Sequence, residues 1–484
     1  MCSSDLESQM LKETEDIVHF EIDFLPLKSY ANIVEANALR IDWEAVVPKS
    51  KLNYIMGNPP FVGKKYQSAA QKEDMKVVFG QKAKGIGNLD YVTAWYGKAF
   101  SYMSHTNILC AFVSTNSIVQ GEHLPLFWKP QYDQHPIQIV FAYRTFKWNN
   151  ETKDFAAVHC VIIGFTEGSF NQKKRLFIDK KEILVENIHP YLFEMPNIFV
   201  ENRNKPVGNA IPLVYGSFAL DDGNYTIYEP EYSDLLRKEP ALSKYLKPFV
   251  GSEEFINNKV RYCIWLKGAD IKDVRASKIL SQKIKNVMEW RRNSKRKETA
   301  AAAETPMLFA EIRQPETDYL AIPITSSERR KYIPMGYMSK DIIASNHLLV
   351  LPNATKYEFG VLESNVHMAW MRLVAGRLKS DYNYSARIVY NNFPWPSPSE
   401  DQKLKIEQAA QGILDARALY PDCSLADLYD ETTMPPELRK AHRANDKAVM
   451  QAYGFDVKTT TEATCVAELM KMYQMLTKNN DESN

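Results

Sequence analysis

Cysteine is scarce in this sequence, and long apolar runs are missing. Only six cysteines occur among 484 residues, and no two of them form a Cys-x-x-Cys pair. The spacing therefore indicates neither a zinc ribbon nor a disulfide framework, and we expect a reduced, cytoplasmic compartment. No stretch of about 18 consecutive apolar residues occurs, which argues against an ordinary transmembrane helix. The histidines have no metal-ligand spacing, so no metal site is predicted.

An excess of charge of one sign is also missing. Lys and Arg number 60, Asp and Glu number 59, and the net charge is +1. Taken alone, this balance argues against a nucleic-acid-binding protein, since such proteins usually carry excess positive charge. The charge is nevertheless segregated, because residues 271–300 hold ten basic and three acidic residues. A local basic surface for DNA is therefore compatible with the composition.

The first part of the chain alternates short apolar runs with helical stretches. Continuous apolar strands separated by helices are typical of an α/β sheet that is covered on both faces. The spacing predicts a helix over Tyr91–Tyr102. The predicted strands are Leu52–Met56, Ile108–Ser114, Ile137–Tyr143 and Val158–Phe165.

The pattern changes after about residue 200. Pro, Gly and Asn recur and helical periodicity weakens, which predicts a mixed α+β module. Three prolines in FPWPSPSE end this module, and Ser399 with Gln402 predicts a capping box that opens a helical region. We therefore divide the chain into residues 1–195, 196–395 and 396–484.

The most informative motif is Asn58-Pro59-Pro60-Phe61, which directly follows an apolar strand and Gly57. Two consecutive prolines make the segment stiff and leave its carbonyl groups free to accept hydrogen bonds. The Asn58 side-chain oxygen and the Pro59 carbonyl can each accept one N–H of an exocyclic amino group, which turns the nitrogen lone pair toward an electrophilic methyl group. Phe61 offers an aromatic face to a base taken out of the stack. The alternative is a plain Asn-Pro turn at the end of a strand.

Several long segments accompany this motif. GNPPF after an apolar strand, NLDYVTAWYGKAF and AFVSTNSIVQGEH resemble the MmeI-like adenine-specific DNA methyltransferases, which often belong to restriction–modification systems. The resemblance continues through NHLLVLPNATKYEFG and DARALYPDCSLADLYD, so that it covers nearly the whole chain. It implies an α/β fold, with a partial Rossmann-like class I methyltransferase domain, an α+β target-recognition domain and a C-terminal helical region.

The resemblance also implies a cofactor, a partner and site residues. The methyl donor is S-adenosylmethionine, the partner is double-stranded DNA, and no membrane is involved. Asn37 stands where relatives often carry an Asp that binds the adenine end of the cofactor, and Asp90 and Tyr91 lie near the cofactor pocket. The catalytic residues are Asn58, Pro59, Pro60 and Phe61.

One part of the family pattern has no counterpart in these 484 residues. It is the glycine-rich cofactor loop, an Asp-Pro-x-x-Gly-x-Gly-like sequence. We expect that a partner polypeptide supplies it, that the sequence is a piece of a longer chain, or that methylation has been lost. The leading interpretation is a site-specific adenine DNA methyltransferase. The alternative is a non-catalytic DNA-binding or specificity fragment that needs a partner chain, and methylation of a protein amide is a third, weaker option.

Basic side chains outside the catalytic motif are the candidates for DNA contacts. Phosphate contacts give affinity, whereas base contacts give sequence choice. The run of basic residues that begins at Arg291 is explained equally well as a solvated helix face. The segment with Tyr382 and Tyr384 is explained equally well by packing between domains. Arg313 and Gln314 are candidate readers of base edges. The predicted DNA-binding residues are Arg144, Lys147, Arg291, Arg292, Arg329, Arg330, Arg377 and Lys379.

Overall fold

A six-stranded mixed sheet carries the amino-terminal part of the computed structural model, which describes residues 33–148, 158–378 and 380–481. The strand order is β1-β2-β4-β3-β5-β6. Strand β2 runs parallel to β1, and β5 runs parallel to β3, whereas the other neighbours are antiparallel. The strands are β1 (Tyr54–Gly57), β2 (Leu109–Thr115), β3 (Gln138–Trp148), β4 (Val158–Thr166), β5 (Lys174–Ile178) and β6 (Lys181–Val185).

Helices accompany this sheet, and two of them lie between its parallel strands β1 and β2. The helices are α1 (Trp43–Val46), α2 (Ala69–Phe79), α3 (Thr93–Met103) and α4 (Lys129–Gln134). Ser68 and Gln71 form a capping box that starts α2. Helix α3 links β1 to β2 and is buried on most of its surface, as its apolar sequence requires. Its placement brings the carboxyl ends of β1 and β2 to the same edge of the sheet.

Three small sheets organise the recognition region. Their orders are β14-β9-β10-β8, β13-β11-β15-β7 and β12-β17-β16. The strands are β7 (Val214–Tyr215), β8 (Thr226–Ile227), β9 (Leu246–Val250), β10 (Tyr262–Ile264), β11 (Tyr319–Pro323), β12 (Thr325–Ser326), β13 (Gly336–Met338), β14 (Ile343–Ala344), β15 (Leu348–Pro352), β16 (Gly376–Leu378) and β17 (Asp381–Asn383). The helices are α5 (Glu231–Lys238), α6 (Ser252–Asn257), α7 (Ile271–Ala276), α8 (Lys278–Arg292), α9 (Lys297–Ala301), α10 (Lys356–Leu362) and α11 (Asn365–Val374).

Two facing glycines join the third small sheet to the catalytic part. Gly121, in the loop after β2, has a φ of +52°, and a Cβ placed on it would lie 2.9 Å from the Cα of Gly376. No side chain fits between backbones at this distance, and the positive φ also favours glycine. The contact therefore holds the β16–β17 hairpin directly beside the loop that follows β2.

Four helices complete the chain: α12 (Glu400–Ala418), α13 (Leu425–Leu428), α14 (Pro436–Ala452) and α15 (Glu462–Asp481). The capping box of Ser399 and Gln402 is confirmed at the start of α12. One buried apolar cluster runs without a break from Leu39 in the catalytic part to Tyr473 in the last helix. The catalytic part and the C-terminal helices are therefore packed into one core, and a separate cluster lies within the recognition region.

A buried ion pair ties the recognition region to the C-terminal helices. The Arg417 guanidinium, on α12, donates to Glu363 Oε1 (2.8 Å) and to the Met335 carbonyl (2.5 Å). The same Glu363 oxygen accepts the Met335 backbone N–H at 2.7 Å. Burial raises the pKa of Glu363 to about 7, although Arg417 opposes this rise. The pair makes two sequence-distant elements depend on one another.

Candidate active site and DNA interface

The tetrapeptide Asn58–Phe61 lies at the carboxyl end of β1, where open α/β sheets place their ligands. Pro59 is buried and Phe61 is half-buried against the main core, so the segment is anchored. Asn58 is exposed, and its side chain makes no hydrogen bond to another residue in the described ranges. Gly57 allows the strand to end close to Phe112 of β2, whose ring lies 3.2 Å from the position of a Gly57 Cβ. The backbone at Asn58 is therefore anchored, and within the described ranges no other residue occupies the side-chain amide.

An apolar groove of about 600 Å³ borders this segment along β1. Strand β1 is the last strand of its sheet in the described part of the chain, and its Tyr54 and Met56 are 65% and 84% exposed. No carboxylate lines the groove among the described residues. The lining includes Ala36, Ala38, Trp43, Leu52, Tyr54, Met56, Asn58, Pro59, Pro60, Trp95 and Phe112. The groove can thus accept a flat or aliphatic group but offers no acidic partner for hydroxyl or ammonium groups.

Two of the predicted cofactor residues meet at Asp74 instead of lining this groove. The Asn37 amide donates to both Asp74 oxygens (3.2 and 3.3 Å), and the Tyr91 hydroxyl donates to Oδ2 at 2.7 Å. Arg40 Nε adds an ion pair of 2.6 Å. Burial alone raises the pKa of Asp74, but these hydrogen bonds outweigh it and leave the pKa below its ordinary value. Asp74 therefore fixes the loop that precedes β1, and roles of Asn37 and Tyr91 in cofactor binding stay predictions.

The third predicted cofactor residue, Asp90, lies on a different cavity. It lines a cleft of about 740 Å³. The loop after Phe61 and residues 115–117 form one side of this cleft, and the β16–β17 hairpin forms the other side. Its carboxylate accepts the Val92 N–H (3.1 Å), and its own N–H donates to His123 Nε2 (3.1 Å). Burial raises the pKa of Asp90 and lowers that of His123 to about 4, so the imidazole is neutral and can accept. The groove is thus lined by Asn58, Pro59 and Pro60, and the cleft by the loop that begins two residues after the tetrapeptide.

One of the predicted DNA-binding residues lines this cleft, and two others lie close in sequence to a strand of the same small sheet. Arg377, on β16, lies over the Tyr382 ring (4.1 Å) and lines the cleft. Arg329 and Arg330 follow β12, which belongs to the same small sheet; Arg329 is exposed, and Arg330 is half-buried and borders a neighbouring cavity. Lys379 lies outside the described residues.

Other candidates stand apart from this group. Arg144 is half-buried, and its guanidinium lies 3.9 Å from the centre of the Phe193 ring. Lys147 is exposed near the end of β3, and Arg292 is exposed at the end of α8. Their contacts with DNA stay predictions.

The prediction for Arg291 is wrong, because this side chain is fully buried. Its guanidinium donates to five backbone carbonyls, so no N–H is left for a phosphate. The helical spacing indicates this burial, because Arg291 lies on the same face of α8 as the buried Leu280 and Val287. The basic composition of the segment alone does not indicate it. The acceptors are the carbonyls of Ala219, Leu220, Ala302, Thr305 and Leu308.

Gln314 is also occupied within the protein. Its amide donates to the carbonyls of Lys340 and Ile342 and accepts the Ala344 N–H, which leaves little for a base edge. Tyr384 is buried and hydrogen-bonded to His367 at 2.9 Å. This side chain is therefore packed within the recognition region, and the alternative of packing between domains stays a prediction.

Comparisons with known proteins identify the family. Three MmeI family models match in sequence order: the DNA-methyltransferase domain over residues 6–178, the target recognition domain over 194–397 and the C-terminal domain over 398–480. The chain belongs to the MmeI family. DNA methyltransferase A of Bacillus subtilis (strain 168) is 40% identical over 475 residues, which are 98% of this chain and 54% of that protein. The solved structure of the type IIL restriction-modification enzyme MmeI in complex with DNA is 45% identical, with a TM-score of 0.88, and the match covers 97% of this chain and 63% of that one.

Membership in the MmeI family confirms the predicted methyltransferase, target-recognition and helical architecture. The chain spans about half the length of the Bacillus relative. No helix in the described ranges is long and apolar enough to cross a membrane. Within the same part of the chain, no three His, Cys, Asp or Glu side chains are grouped to hold a metal ion.

Sequence reasoning missed three residues that line the cleft. Lys64, Lys65 and Tyr66 immediately follow the catalytic tetrapeptide and line the cleft. The segment FVGKKY contains two lysines and a tyrosine, and this combination of basic and aromatic residues indicates nucleic-acid contacts.

Proposed function

We propose that this chain methylates the 6-amino group of adenine in double-stranded DNA as part of a restriction–modification enzyme. The observation that carries the proposal is the position of Asn58. Its exposed amide lies at the carboxyl end of β1 and lines the apolar groove, and the loop directly after the tetrapeptide lines the cleft toward the recognition region. In this proposal the methyl donor occupies the groove, and the extruded base reaches Asn58 from the cleft.

The chemistry requires positioning more than a strong base. The Asn58 side-chain oxygen and the Pro59 carbonyl accept the two N–H groups of the amine, which aims the lone pair at the methyl carbon. The two carbonyl dipoles stabilise the positive charge that develops on the nitrogen. Phe61 supports the base by stacking. S-adenosylmethionine, when bound, would supply the electrophilic methyl group and would leave as the neutral thioether, and the methylated amine would release one proton to solvent.

The described residues fit this cofactor in part. Trp43, Trp95 and the exposed face of β1 provide an apolar wall for its flat and aliphatic groups. Hydroxyl and ammonium groups need acceptors, and the described lining provides no carboxylate. We propose that a further polypeptide segment pairs with the open edge of β1 and adds these acceptors.

Calorimetry tests how the cofactor pocket is assembled. We expect S-adenosylmethionine to bind weakly or not at all to the isolated 484-residue chain, and to bind when a protein encoded directly upstream is added. Tight binding by the isolated chain would contradict the idea that a second segment completes the pocket.

Replacing Asn58 by alanine tests the catalytic assignment. In the reconstituted enzyme, we expect Asn58→Ala to abolish methylation while DNA affinity stays within about twofold, because the amide acts on the amine and not on the duplex. Asn53→Ala, an exposed amide at the other end of β1, is the matched control and should keep full activity. Mass spectrometry of digested nucleosides separates N6-methyladenine from N4-methylcytosine. The proposal would be refuted if N4-methylcytosine were the sole product, or if Asn58→Ala kept its activity.

A further inference from the structure

The loop that follows the catalytic tetrapeptide is fixed by hydrogen bonds on both sides of its tip. The Val62 carbonyl accepts the Tyr91 N–H at 3.0 Å. The buried Gln67 amide donates to the carbonyls of Leu89 (2.9 Å) and Val62 (3.3 Å). Lys64 Nζ donates to Asn88 Oδ1 at 3.3 Å. Because both ends of the loop are attached to residues 88–91, its tip has a defined direction.

The tip presents an aromatic ring to solvent. Tyr66 is 84% exposed, and its ring makes no aromatic contact within the described ranges. Its backbone N–H closes a tight turn with the Gly63 carbonyl at 2.8 Å. The neighbouring Lys65 is also exposed. The loop backbone is fixed, but the large Tyr66 ring is not used for packing and is available for a partner. A base offers the matching flat face.

A second apolar side chain faces the same cleft from the recognition region. Leu378 ends β16, is 56% exposed and lines the cleft together with Tyr66. The contact between Gly121 and Gly376 holds this hairpin against the catalytic part. The two walls therefore keep a set spacing, with an apolar or aromatic side chain on each. Proteins that unstack DNA insert side chains of this kind between bases.

We propose that Tyr66 stacks on the bases at the position that the target adenine leaves, with Leu378 supporting the opened step from the opposite wall. This inference rests on the proposed function, since it concerns the same extruded base. Tyr66 lies five residues after Phe61 and lines the cleft from which, by the proposed function, the base reaches Asn58. Lys65 lies beside Tyr66 and is free to contact a flanking phosphate.

The test uses the whole chain and reads base extrusion without any methylation. The chain first selects its bound site from random duplexes, and 2-aminopurine then replaces each adenine of that site in turn. An unstacked 2-aminopurine fluoresces strongly, so wild type should give a rise at one position. We expect Tyr66→Ala to remove at least four-fifths of that rise and to weaken binding about tenfold.

Three variants separate stacking from other effects. Tyr66→Phe should keep both the fluorescence and the affinity, because stacking needs the ring and not the hydroxyl group. Leu378→Ala should lower the fluorescence in part. Leu419→Ala, an equally exposed leucine after α12, is the matched control and should change neither. Thermal unfolding checks that each variant folds, which is expected for exposed positions.

The outcomes also separate this inference from the proposed function. Wild-type fluorescence and affinity in Tyr66→Ala, or no rise at any adenine with wild type, would overturn the role of Tyr66. If Asn58→Ala keeps the fluorescent signal and loses methylation, both proposals stand. If the wild-type enzyme extrudes the base but transfers no methyl group to it, methylation fails as a function, and the role of Tyr66 is supported.

Discussion

Adjacent arginines on α8 show how far the environment, and not the residue type, decides a role. Arg291 is buried against five carbonyls, whereas Arg292 is exposed. We expect Arg291→Met to lower the free energy of unfolding by roughly 3 kcal/mol or more, because several buried acceptors lose their donor. Arg292→Met should change it by less than about 0.5 kcal/mol. Denaturant unfolding of both variants measures the difference, and equal midpoints would contradict it.

The catalytic segment could be located from the sequence, because its chemistry is local. Asn58 to Phe61 are consecutive, and the preceding apolar strand is visible in the same window. The burial of Arg291 could not be read in this way, since its acceptors come from residues 219–220 and 302–308. For the same reason the hydrogen bonds of Asn37 to Asp74, which lies 37 positions away, could not be predicted, and the role of Asn37 in cofactor binding stays a prediction.

Among the elements, continuous apolar strands were predictable and short polar ones were not. The predicted strand Ile108–Ser114 is confirmed as Leu109–Thr115, and Val158–Phe165 as Val158–Thr166. Burial on both faces leaves a clear pattern in such segments. The β16–β17 hairpin lies in GRLKSDYN, which lacks this pattern. Its second strand also pairs with β12, with Thr325 opposite Asn383, and this pairing joins distant parts of the chain.

The ion pair between Glu363 and Arg417 gives a prediction for the packing of α10 against α12. Arg417→Met leaves the buried carboxylate without its cation, and we expect the free energy of unfolding to fall by about 3–5 kcal/mol. Adding Glu363→Gln should recover most of this loss, because the amide oxygen still accepts the Met335 N–H. Chemical denaturation of the single and double variants measures the recovery.

This prediction also has a defined pH dependence. Burial already raises the pKa of Glu363 to about 7, and removal of Arg417 should raise it further. The native state then binds a proton that the unfolded chain releases near its ordinary carboxyl pKa, so stability falls as the pH rises between the two values. Arg417→Met should therefore be less stable at pH 8 than at pH 6, and the double variant should lose this difference. A larger loss at pH 6 would contradict the assignment.

For the whole molecule, a net charge of +1 means that DNA attraction has to come from local surfaces. The slope of log binding constant against log salt counts phosphate contacts, at about 0.9 for each. We expect Lys65→Ala and Arg329→Ala each to reduce this slope by about one contact. Lys405→Ala, an exposed lysine on α12, should leave it unchanged. Binding titrations between low and moderate salt measure these slopes. If Lys65→Ala and Arg329→Ala both keep the wild-type slope, the phosphate contacts are made by other residues.

The facing pair of Gly121 and Gly376 bears on how new specificities are grafted. The contact is asymmetric: a Cβ on Gly121 would lie 2.9 Å from the Gly376 Cα, whereas a Cβ on Gly376 would lie 4.0 Å from the Gly121 Cα, which is an ordinary contact. The steric requirement therefore lies on the catalytic side, in the loop that carries Gly121. Chimaeras should keep this loop of the recipient and can take the whole β16–β17 hairpin from the donor module.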